Sequence, residues 1–535
     1  MKKNLPLLIT TFIIAVFSFW RFFLIVSLPP EDLVTITTDD AFYYMNIASH
    51  IASGHGATFD GINKTNGFHP LWQLMLIPVY RLIPSNRLLA LRVTLIFQLL
   101  VFISILILTI RFTCRIYGAI ALFPILIVFL FSGFSNCLLE GMETPIHLVI
   151  LALIIVYMTE TWSVHHPTLP KDATLGILIG LLTLARLESF LILFSCLVFM
   201  AWYRLSNKLQ LLHFVVRAIR ITAPVTMLVL PFLIWNKINF GHFATISSRL
   251  KSTFPHLSFK PSLFLRYPQW AALVIVTLLF FLILVFGRYF KTGQRILQEM
   301  SQPYQNASLI YCLYVLMHFS FILLFSRWEI GGWYFAPYLL VIPLSSGPVI
   351  SALRKSSYSA RLRPVFVFII ILGLGLDISM QCLSLRYRLN GYANSFHRPS
   401  YRAALWAKQN IPKGAVFATT DCGVFGYFSE RSVIELDGIV NNFEYQEWLL
   451  KRGLKDYLFH KGVNYIRDYA SLAPEKYNQF QYTIRSKIDR DFYSSISLSP
   501  SDERYRSSSF EHLSKNKCQV IWNFPRSIVH RDVEK

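Results

Sequence analysis

Charge is scarce in this chain. Only 15% of its 535 residues are Asp, Glu, Lys or Arg, against roughly 25% in soluble domains. What charge there is leans one way, with 51 Lys and Arg against 29 Asp and Glu, a net +22. Walker and GxGxxG loops are missing, and so are the GxSxG elbow and the HExxH pair. ATP, dinucleotide and hydrolase-elbow chemistry therefore have no sequence support. The seven cysteines (Cys114, Cys137, Cys196, Cys312, Cys382, Cys422 and Cys518) are odd in number, scattered and without metal spacing. They read as small apolar residues and not as a disulfide framework. There is no internal repeat, low-complexity tract, long linker or nucleic-acid-binding motif.

Apolar sequence is what remains. The chain is 54% hydrophobic and 15% aromatic, more apolar surface than a soluble protein of this length can hide. A polytopic α-helical membrane protein is the expected class. The excess of Lys and Arg gathers in short loops between apolar runs, as the positive-inside rule requires, so the net charge does not call for nucleic acid.

Lys2 and Lys3 precede an apolar run from about Leu5 to Leu28, long enough to span and resembling an uncleaved signal anchor. That places the N-terminus in the cytoplasm and the first loop, 29–90, outside. Within that loop, 71–84 is apolar but short and interrupted by Pro78 and Arg81. If it lies in the interface, the runs at 91–110, 119–136, 145–159, 174–186, 189–203, 221–236, 270–287, 307–325, 336–352 and 364–381 alternate across the membrane. The basic clusters then fall inside nearly throughout, and the total is about eleven spans. The loop 237–266 breaks the rule: it is basic (Lys237, Arg249, Lys251, Lys260, Arg266) yet falls outside. After residue 381 the composition changes. Predicted strands at 415–421, 432–438 and 463–469 alternate with helical stretches at 400–410 and 444–461, a pattern for a small extracytoplasmic α/β domain over 382–535 beside a membrane module over 1–381.

Residues able to carry chemistry concentrate in the outward loops. Asp39 and Asp40 follow the first span. Asp40, Tyr43, Tyr44, Ile47, Ala48 and Ile51 then share one face of a helix at i, i+3, i+4 spacing. A helix N-cap accounts for one carboxylate and does not require two. Glu140 and Glu143 fall on the same side, with capping of the next helix as their structural role. Arg186 and Glu188 form a charge pair between apolar runs, the kind that marks a substrate path or a structural ion pair. Arg249 and Lys251, beside Ser247 and Ser248, are placed to meet the phosphate of an anionic lipid. Tyr43, His69, Trp333 and Tyr334 are candidate substrate contacts, the last two together with Trp328 and Glu329 in one aromatic loop. Outer carboxylates leave room for a divalent metal ion, but no motif specifies one.

With these residues in view, the chain resembles GT-C glycosyltransferases, the polytopic enzymes that use polyprenyl-phosphate sugars. These include protein O-mannosyltransferases, the aminoarabinose transferase of lipid A and arabinofuranosyltransferases. The resemblance is carried by Asp39-Asp40-Ala-Phe-Tyr-Tyr, Ser53-Gly-His-Gly56, His69-Pro-Leu-Trp72, Gly141-Met-Glu-Thr144, Ala185-Arg-Leu-Glu188 and Asn239-Phe-Gly241 with Ser247 and Lys251. It continues in Asp421-Cys-Gly423, Gly426-Tyr-Phe-Ser429 and Leu436-Asp-Gly438. Each motif is weak alone, and their order is what is specific. The resemblance implies juxtamembrane helices in the first loop, Asp39 as general base with Asp40 beside it, Glu143 as a second acidic residue and Arg186 on the donor phosphate. Phe42 departs from the pattern, since some relatives carry Arg there, which moves the expected phosphate contact to Arg186, Arg249 and Lys251. The implied partners are a polyprenyl-phosphate-linked sugar, a glycan, lipid or protein acceptor, and the bilayer. The implied reaction is sugar transfer at the outer face of the plasma (inner) membrane, with inversion at the anomeric carbon. A transporter, flippase or polymerase of lipid-linked saccharides is the competing reading, as is a scaffold whose outer domain binds a partner.

Overall fold

A computed structural model describes residues 5–118, 122–130, 132–162, 168–208, 210–262, 266–327, 330–355, 379, 382–383, 386, 396–471, 480–485, 493–498, 501, 503–506 and 517–524. Among them are seven helices long and apolar enough to cross a membrane: Leu8–Ser27, Arg87–Tyr117, Leu187–Ser206, Leu211–Phe240, Pro268–Tyr289, Gln302–Phe325 and Gly332–Arg354. Thr144–Glu160 is a shorter apolar helix. The chain is a polytopic helical membrane protein with a small C-terminal α/β unit. The predicted span at 364–381, the boundary at 381/382, and Trp328 and Glu329 fall in stretches outside the described residues, apart from single positions.

Helices run past the apolar windows read from sequence. Residues 91–110 belong to the 31-residue helix Arg87–Tyr117, roughly 46 Å long at 1.5 Å per residue. Arg111 and Arg115 are therefore helical, with Arg115 paired to Glu160 at 2.9 Å. The predicted span 119–136 is broken into Leu122–Leu130 and Ser132–Leu138. The piece 71–84 forms Pro70–Leu82, 13 residues, about 20 Å against a hydrocarbon core of roughly 30 Å. It packs on helix Asp39–Ala52, where Gln73 Nε2 donates to the Tyr44 carbonyl at 3.2 Å and an Arg81 guanidinium N–H donates to the Ala52 carbonyl at 2.7 Å.

Small residues set a close helix crossing. Gly176 and Gly180, one turn apart on Leu169–Ala185, face Leu211–Phe240. A Cβ at Gly176 would sit 2.3 Å from the Ile221 carbonyl oxygen, and one at Gly180 would sit 2.8 Å from Leu228 Cδ1. Such small-residue stripes let membrane helices approach backbone to backbone. The crossing fixes Arg186, just past the first helix, relative to Val229 and Leu233 on the second.

The C-terminal unit has strands β1 (Val416–Thr419), β2 (Ser432–Glu435), β3 (Tyr465–Ser471), β4 (Phe480–Arg485), β5 (Tyr493–Leu498), β6 (Glu503–Arg506) and β7 (Lys517–Asn523). Five form one sheet in the order β2-β1-β3-β7-β6, and β4 and β5 form a separate antiparallel ribbon. β1 is parallel to both β2 and β3, while β7 is antiparallel to β3 and β6. The parallel strands are buried on both faces, as parallel strands usually are. Phe417, Val433 and Ile521 join the core shared with the membrane helices. Ala418, Ile434 and Val520 point the other way into a core of their own. The predicted strands at 415–421, 432–438 and 463–469 correspond to β1, β2 and β3. The predicted helix 444–461 is two helices, Phe443–Leu450 and Leu454–His460, parted at Lys451–Gly453.

The unit sits on the first loop. His397 Nδ1 lies 2.7 Å from the Val34 carbonyl oxygen, Arg398 pairs with Asp32 at 2.5 Å, and Arg402 pairs with Glu31 at 2.7 Å. Gly176→Ala is expected to lower stability by about 1–3 kcal/mol, because the added methyl meets a backbone carbonyl and not a movable side chain. Gly414→Ala, with nothing within 4 Å, should stay within roughly 0.5 kcal/mol. Thermal unfolding of both variants in detergent checks the contrast.

Candidate active site

Asp39 and Asp40 occupy the first turn of helix Asp39–Ala52, whose N-cap is Thr38, and no side chain caps it. The capping role read from sequence is therefore not used. Successive residues on a helix point about 100° apart, so the two carboxylates diverge. Asp39 is buried, and its two oxygens accept the backbone N–H groups of Gly423 and Val424, each at 2.9 Å. These amides open the helix Gly423–Ser429, which links β1 to β2. Asp40 points instead into a cavity of about 430 Å³. Tyr43 and Tyr44, one turn on, line the same cavity.

The loop before Thr144–Glu160 is pinned to this helix. Thr38 N–H donates to the Glu140 carbonyl at 3.0 Å. Gly141, at φ +91°, passes so close that a Cβ would lie 2.7 Å from that of Ala41. Glu143 is thereby set in the cavity wall. It stands at the N-cap position of the helix but caps nothing. Its Oε1 instead accepts Arg186 Nη1 at 2.7 Å, and Arg186 Nε donates to Glu188 Oε1, also at 2.7 Å. The guanidinium stacks 4.2 Å from the centroid of the Tyr334 ring. Arg186 is thus enclosed by two carboxylates and a ring, behind the wall.

Lys251 arrives from the basic loop. Asn66 stitches that loop to the first: its Nδ2 donates to Asn236 Oδ1 at 3.1 Å, and its Oδ1 accepts Ile246 N–H at 2.9 Å. The short helix Ile246–Lys251 follows, N-capped by Thr245. It brings the Lys251 ammonium to 3.9 Å from Asp40 Oδ2 and 5.7 Å from the Tyr334 ring centroid. Ser247 and Ser248 line the cavity beside it. An apolar set, Phe190, Val229, Leu233, Phe321 and Phe325, lines the same cavity. The C-terminal unit contributes Ile439 to the wall, and its carbonyl oxygen is so close to Gly67 that a Cβ there would lie 2.0 Å away.

Burial dominates the electrostatics. It pushes the Asp40 carboxyl above the ordinary aspartate range, although Lys251 opposes the shift. Burial also raises Asp39, against the pull of its two amide donors. His69, also on the wall, is held below the usual histidine value by burial, although Glu143 opposes the shift, with His69 Nε2 at 3.9 Å from Glu143 Oε1. Burial pulls Lys251 down, but Tyr334 and Asp40 outweigh it and hold the ammonium above its ordinary value. The cavity thus holds a carboxylate of raised basicity beside a firmly charged amine. That pair can take a proton and steady a departing anion in one space.

Of the residues singled out by sequence, Asp40, Tyr43, His69, Glu143, Lys251, Trp333 and Tyr334 line the cavity. Arg186 stands behind it, held by Glu143 and Glu188. Asp39 is turned to the C-terminal unit, and Arg249 is exposed and off the wall. Sequence reasoning did not single out Ile439 or Thr245 for the site. Ile439 follows the Leu436-Asp-Gly438 motif directly, the nearest thing to a signal. Among the described residues, no group of three or more His, Cys, Asp or Glu side chains is placed to hold a metal ion. Asp40 and Glu143 have cationic side chains as neighbours instead.

Three solved structures share this arrangement of elements. ArnT from Cupriavidus metallidurans bound to undecaprenyl phosphate is 11% identical, over 97% of this chain and 98% of that one, with a TM-score of 0.53. The apo oligosaccharyltransferase of Archaeoglobus fulgidus is 13% identical over 93% and 76% of the two chains, with a TM-score of 0.54. The same oligosaccharyltransferase tethered with an acceptor peptide is 12% identical over 85% and 70%, with a TM-score of 0.50. The chain has the GT-C fold. A family model described as a domain of unknown function (DUF8728) matches residues 389–510, most of the C-terminal unit. No curated protein matches the sequence.

Asp39→Ala is expected to strand two buried amide donors, at about 1–3 kcal/mol each, and to loosen the C-terminal unit. Limited proteolysis of the region beyond residue 396, with thermal unfolding alongside, reads this. Asp40→Ala should leave the digestion pattern unchanged.

Proposed function

We propose that this protein is a membrane glycosyltransferase that moves a sugar from a polyprenyl-phosphate donor to an acceptor hydroxyl at the outer face of the membrane. The observation that carries the proposal is the cavity's mixed lining. Asp40 and Lys251 stand 3.9 Å apart in its wall, and Phe190, Val229, Leu233, Phe321 and Phe325 line the same cavity. A lipid-linked phosphate sugar joins the same two chemistries, a charged polar head and an apolar tail. The ArnT structure of the same fold holds undecaprenyl phosphate, and a structure of the oligosaccharyltransferase carries an acceptor peptide.

In this mechanism the acceptor oxygen attacks the anomeric carbon while the bond from that carbon to the phosphate oxygen breaks. The hydroxyl proton passes to Asp40, whose raised basicity suits a general base. The electron pair leaves with the phosphate, whose growing negative charge is met by the Lys251 ammonium and the Ser247 and Ser248 hydroxyls. A single displacement of this kind inverts the anomeric centre. Asp39 is a positioning residue in this scheme: both its oxygens already accept backbone amides. Arg186 orients Glu143 and Glu188 from behind the wall through Nη1 and Nε, with its Nη2 buried and without a partner. The orientation adopted is that of the sequence reading, with the first loop, Glu143, the 237–266 loop and the C-terminal unit outside.

Transfer of label from polyprenyl-phosphate sugars in membranes tests the scheme. Asp40→Asn should lower kcat/KM by roughly 10²–10⁴-fold, and Lys251→Ala by roughly 10²-fold or more, with partial recovery in Lys251→Arg. Asp39→Asn should cost less in kcat than Asp40→Asn at equal protein level. The acid limb of the wild-type pH profile should lie above the ordinary aspartate value of about 4, since Asp40 must be ionised to accept the proton. An active Asp40→Asn enzyme beside an inactive, fully folded Asp39→Asn enzyme would reverse the two roles.

A further inference from the structure

A second cavity, also of about 430 Å³, lies between the far ends of helices Arg87–Tyr117 and Thr144–Glu160. Both helices set out from the Asp40 cavity. Gln98 Nε2 donates at 2.8 Å to the carbonyl of Met142, a residue of that cavity's wall, and Arg111 stands about 20 Å further along the same helix. Glu160 closes the other helix, about 25 Å from Glu143 along its axis. Against a hydrocarbon core of roughly 30 Å, the second cavity sits at the opposite membrane face from the first. In the orientation adopted above, that face is cytoplasmic.

Its lining is ordered along the helices. Ile107, Leu108, Arg111 and Arg115 line it from the first helix, and their three- and four-residue spacings put them on one face. That stripe runs from apolar to basic towards the helix end. Val156 and Glu160, one turn apart on the second helix, run from apolar to charged in the same direction. Arg115 is answered by Glu160 at 2.9 Å. Arg111 is exposed, and its guanidinium has no carboxylate or hydrogen-bond partner among the described residues. The groove therefore carries one unanswered positive charge next to an apolar wall. A charge on a membrane helix calls for a partner, and the anion found beside hydrocarbon is a lipid phosphate. A free phosphate would meet Arg111 but leave Ile107, Leu108 and Val156 uncovered. A zwitterionic headgroup would bring a cation of its own to two arginines.

We propose that this groove holds one anionic phospholipid of the cytoplasmic leaflet, with its phosphate on Arg111 and an acyl chain along Ile107, Leu108 and Val156. Nothing in this site depends on the transferase chemistry of the other. Native mass spectrometry of the full-length protein in detergent, with graded phosphatidylglycerol or phosphatidylcholine of the same acyl chains, reads the binding. One phosphatidylglycerol should be held roughly tenfold more tightly than phosphatidylcholine, the return on one charge-assisted hydrogen bond. Arg111→Ala should bring that ratio close to one. Arg288→Ala, which removes an exposed cation away from the groove, should leave it unchanged. Ile107→Trp fills the apolar part and keeps both arginines, and it should weaken phosphatidylglycerol by a similar factor. If Arg111→Ala does not fold, Ile107→Trp carries the test. Glycerol 3-phosphate, the phosphate without its chains, should not displace the lipid at equal concentration. Phosphatidylcholine held as tightly as phosphatidylglycerol, tight binding that survives Arg111→Ala or Ile107→Trp, or an equal loss in Arg288→Ala overturns the site. Displacement by glycerol 3-phosphate overturns the lipid as its occupant.

Discussion

Two adjacent carboxylates on one helix cannot face the same way, and the site is built on that constraint. With about 100° between neighbours, Asp39 and Asp40 serve two different bodies. Asp39 is buried against the amides of Gly423 and Val424, so it ties the C-terminal unit to the first loop. Asp40 is left to the cavity, 3.9 Å from Lys251. The tie has a structural consequence beyond itself. It holds the region around Ile439 against Gly67, which closes one wall of the cavity. A carboxylate that is spoken for thus helps keep its neighbour available.

Much of the architecture was legible because membrane sequences are constrained by few rules. Apolar runs and the distribution of Lys and Arg placed the first loop, Glu143, Arg186 and the 237–266 loop on one side. The contacts Thr38–Glu140, Asn66–Ile246 and Asp40–Lys251 join those same segments. Strands β1, β2 and β3 were readable from short β-rich runs bounded by turn residues. Helix ends were less so. Arg111 and Arg115 looked like loop charges, yet a helix continues through Arg at a membrane boundary, because the long side chain reaches polar surroundings by itself. Nor does an apolar run reveal a break such as that between Leu122–Leu130 and Ser132–Leu138. The later strands β6 and β7 depend on pairing with β3 across long sequence separation, which no local pattern records.

The candidate site was legible by residue type and not by role. Charge is visible in a sequence, but whether that charge is already answered is not. Arg186, Arg249 and Lys251 look equivalent as cations for a phosphate. Folding separates them completely: Arg186 is neutralised by Glu143 and Glu188, Arg249 is exposed to the surroundings, and Lys251 alone of the three reaches the cavity wall. The same holds for the acidic pair, where the leading Asp is the one withdrawn from the cavity. Arg186 and Glu188 are two residues apart, so their pairing could be read locally. The third partner, Glu143, comes from another helix.

This division of labour follows from the low dielectric of the setting. A cationic side chain buried between two carboxylates is costly to desolvate and is stable only when its hydrogen bonds are well formed. Once formed, such a cluster is rigid and does not rearrange for a ligand, because breaking it would leave charges unpaired. Arg186 is therefore suited to hold Glu143 at a fixed place. Lys251 has the opposite character. Its contact with Asp40 at 3.9 Å is longer than a hydrogen bond, and the four-carbon stem can swing. In the proposed reaction it exchanges the aspartate for the incoming phosphate, and that exchange frees Asp40 from its counter-charge when a base is needed. The cavity wall thus combines a fixed clamp, Arg186 with Glu143 and Glu188, and a looser pair, Asp40 with Lys251.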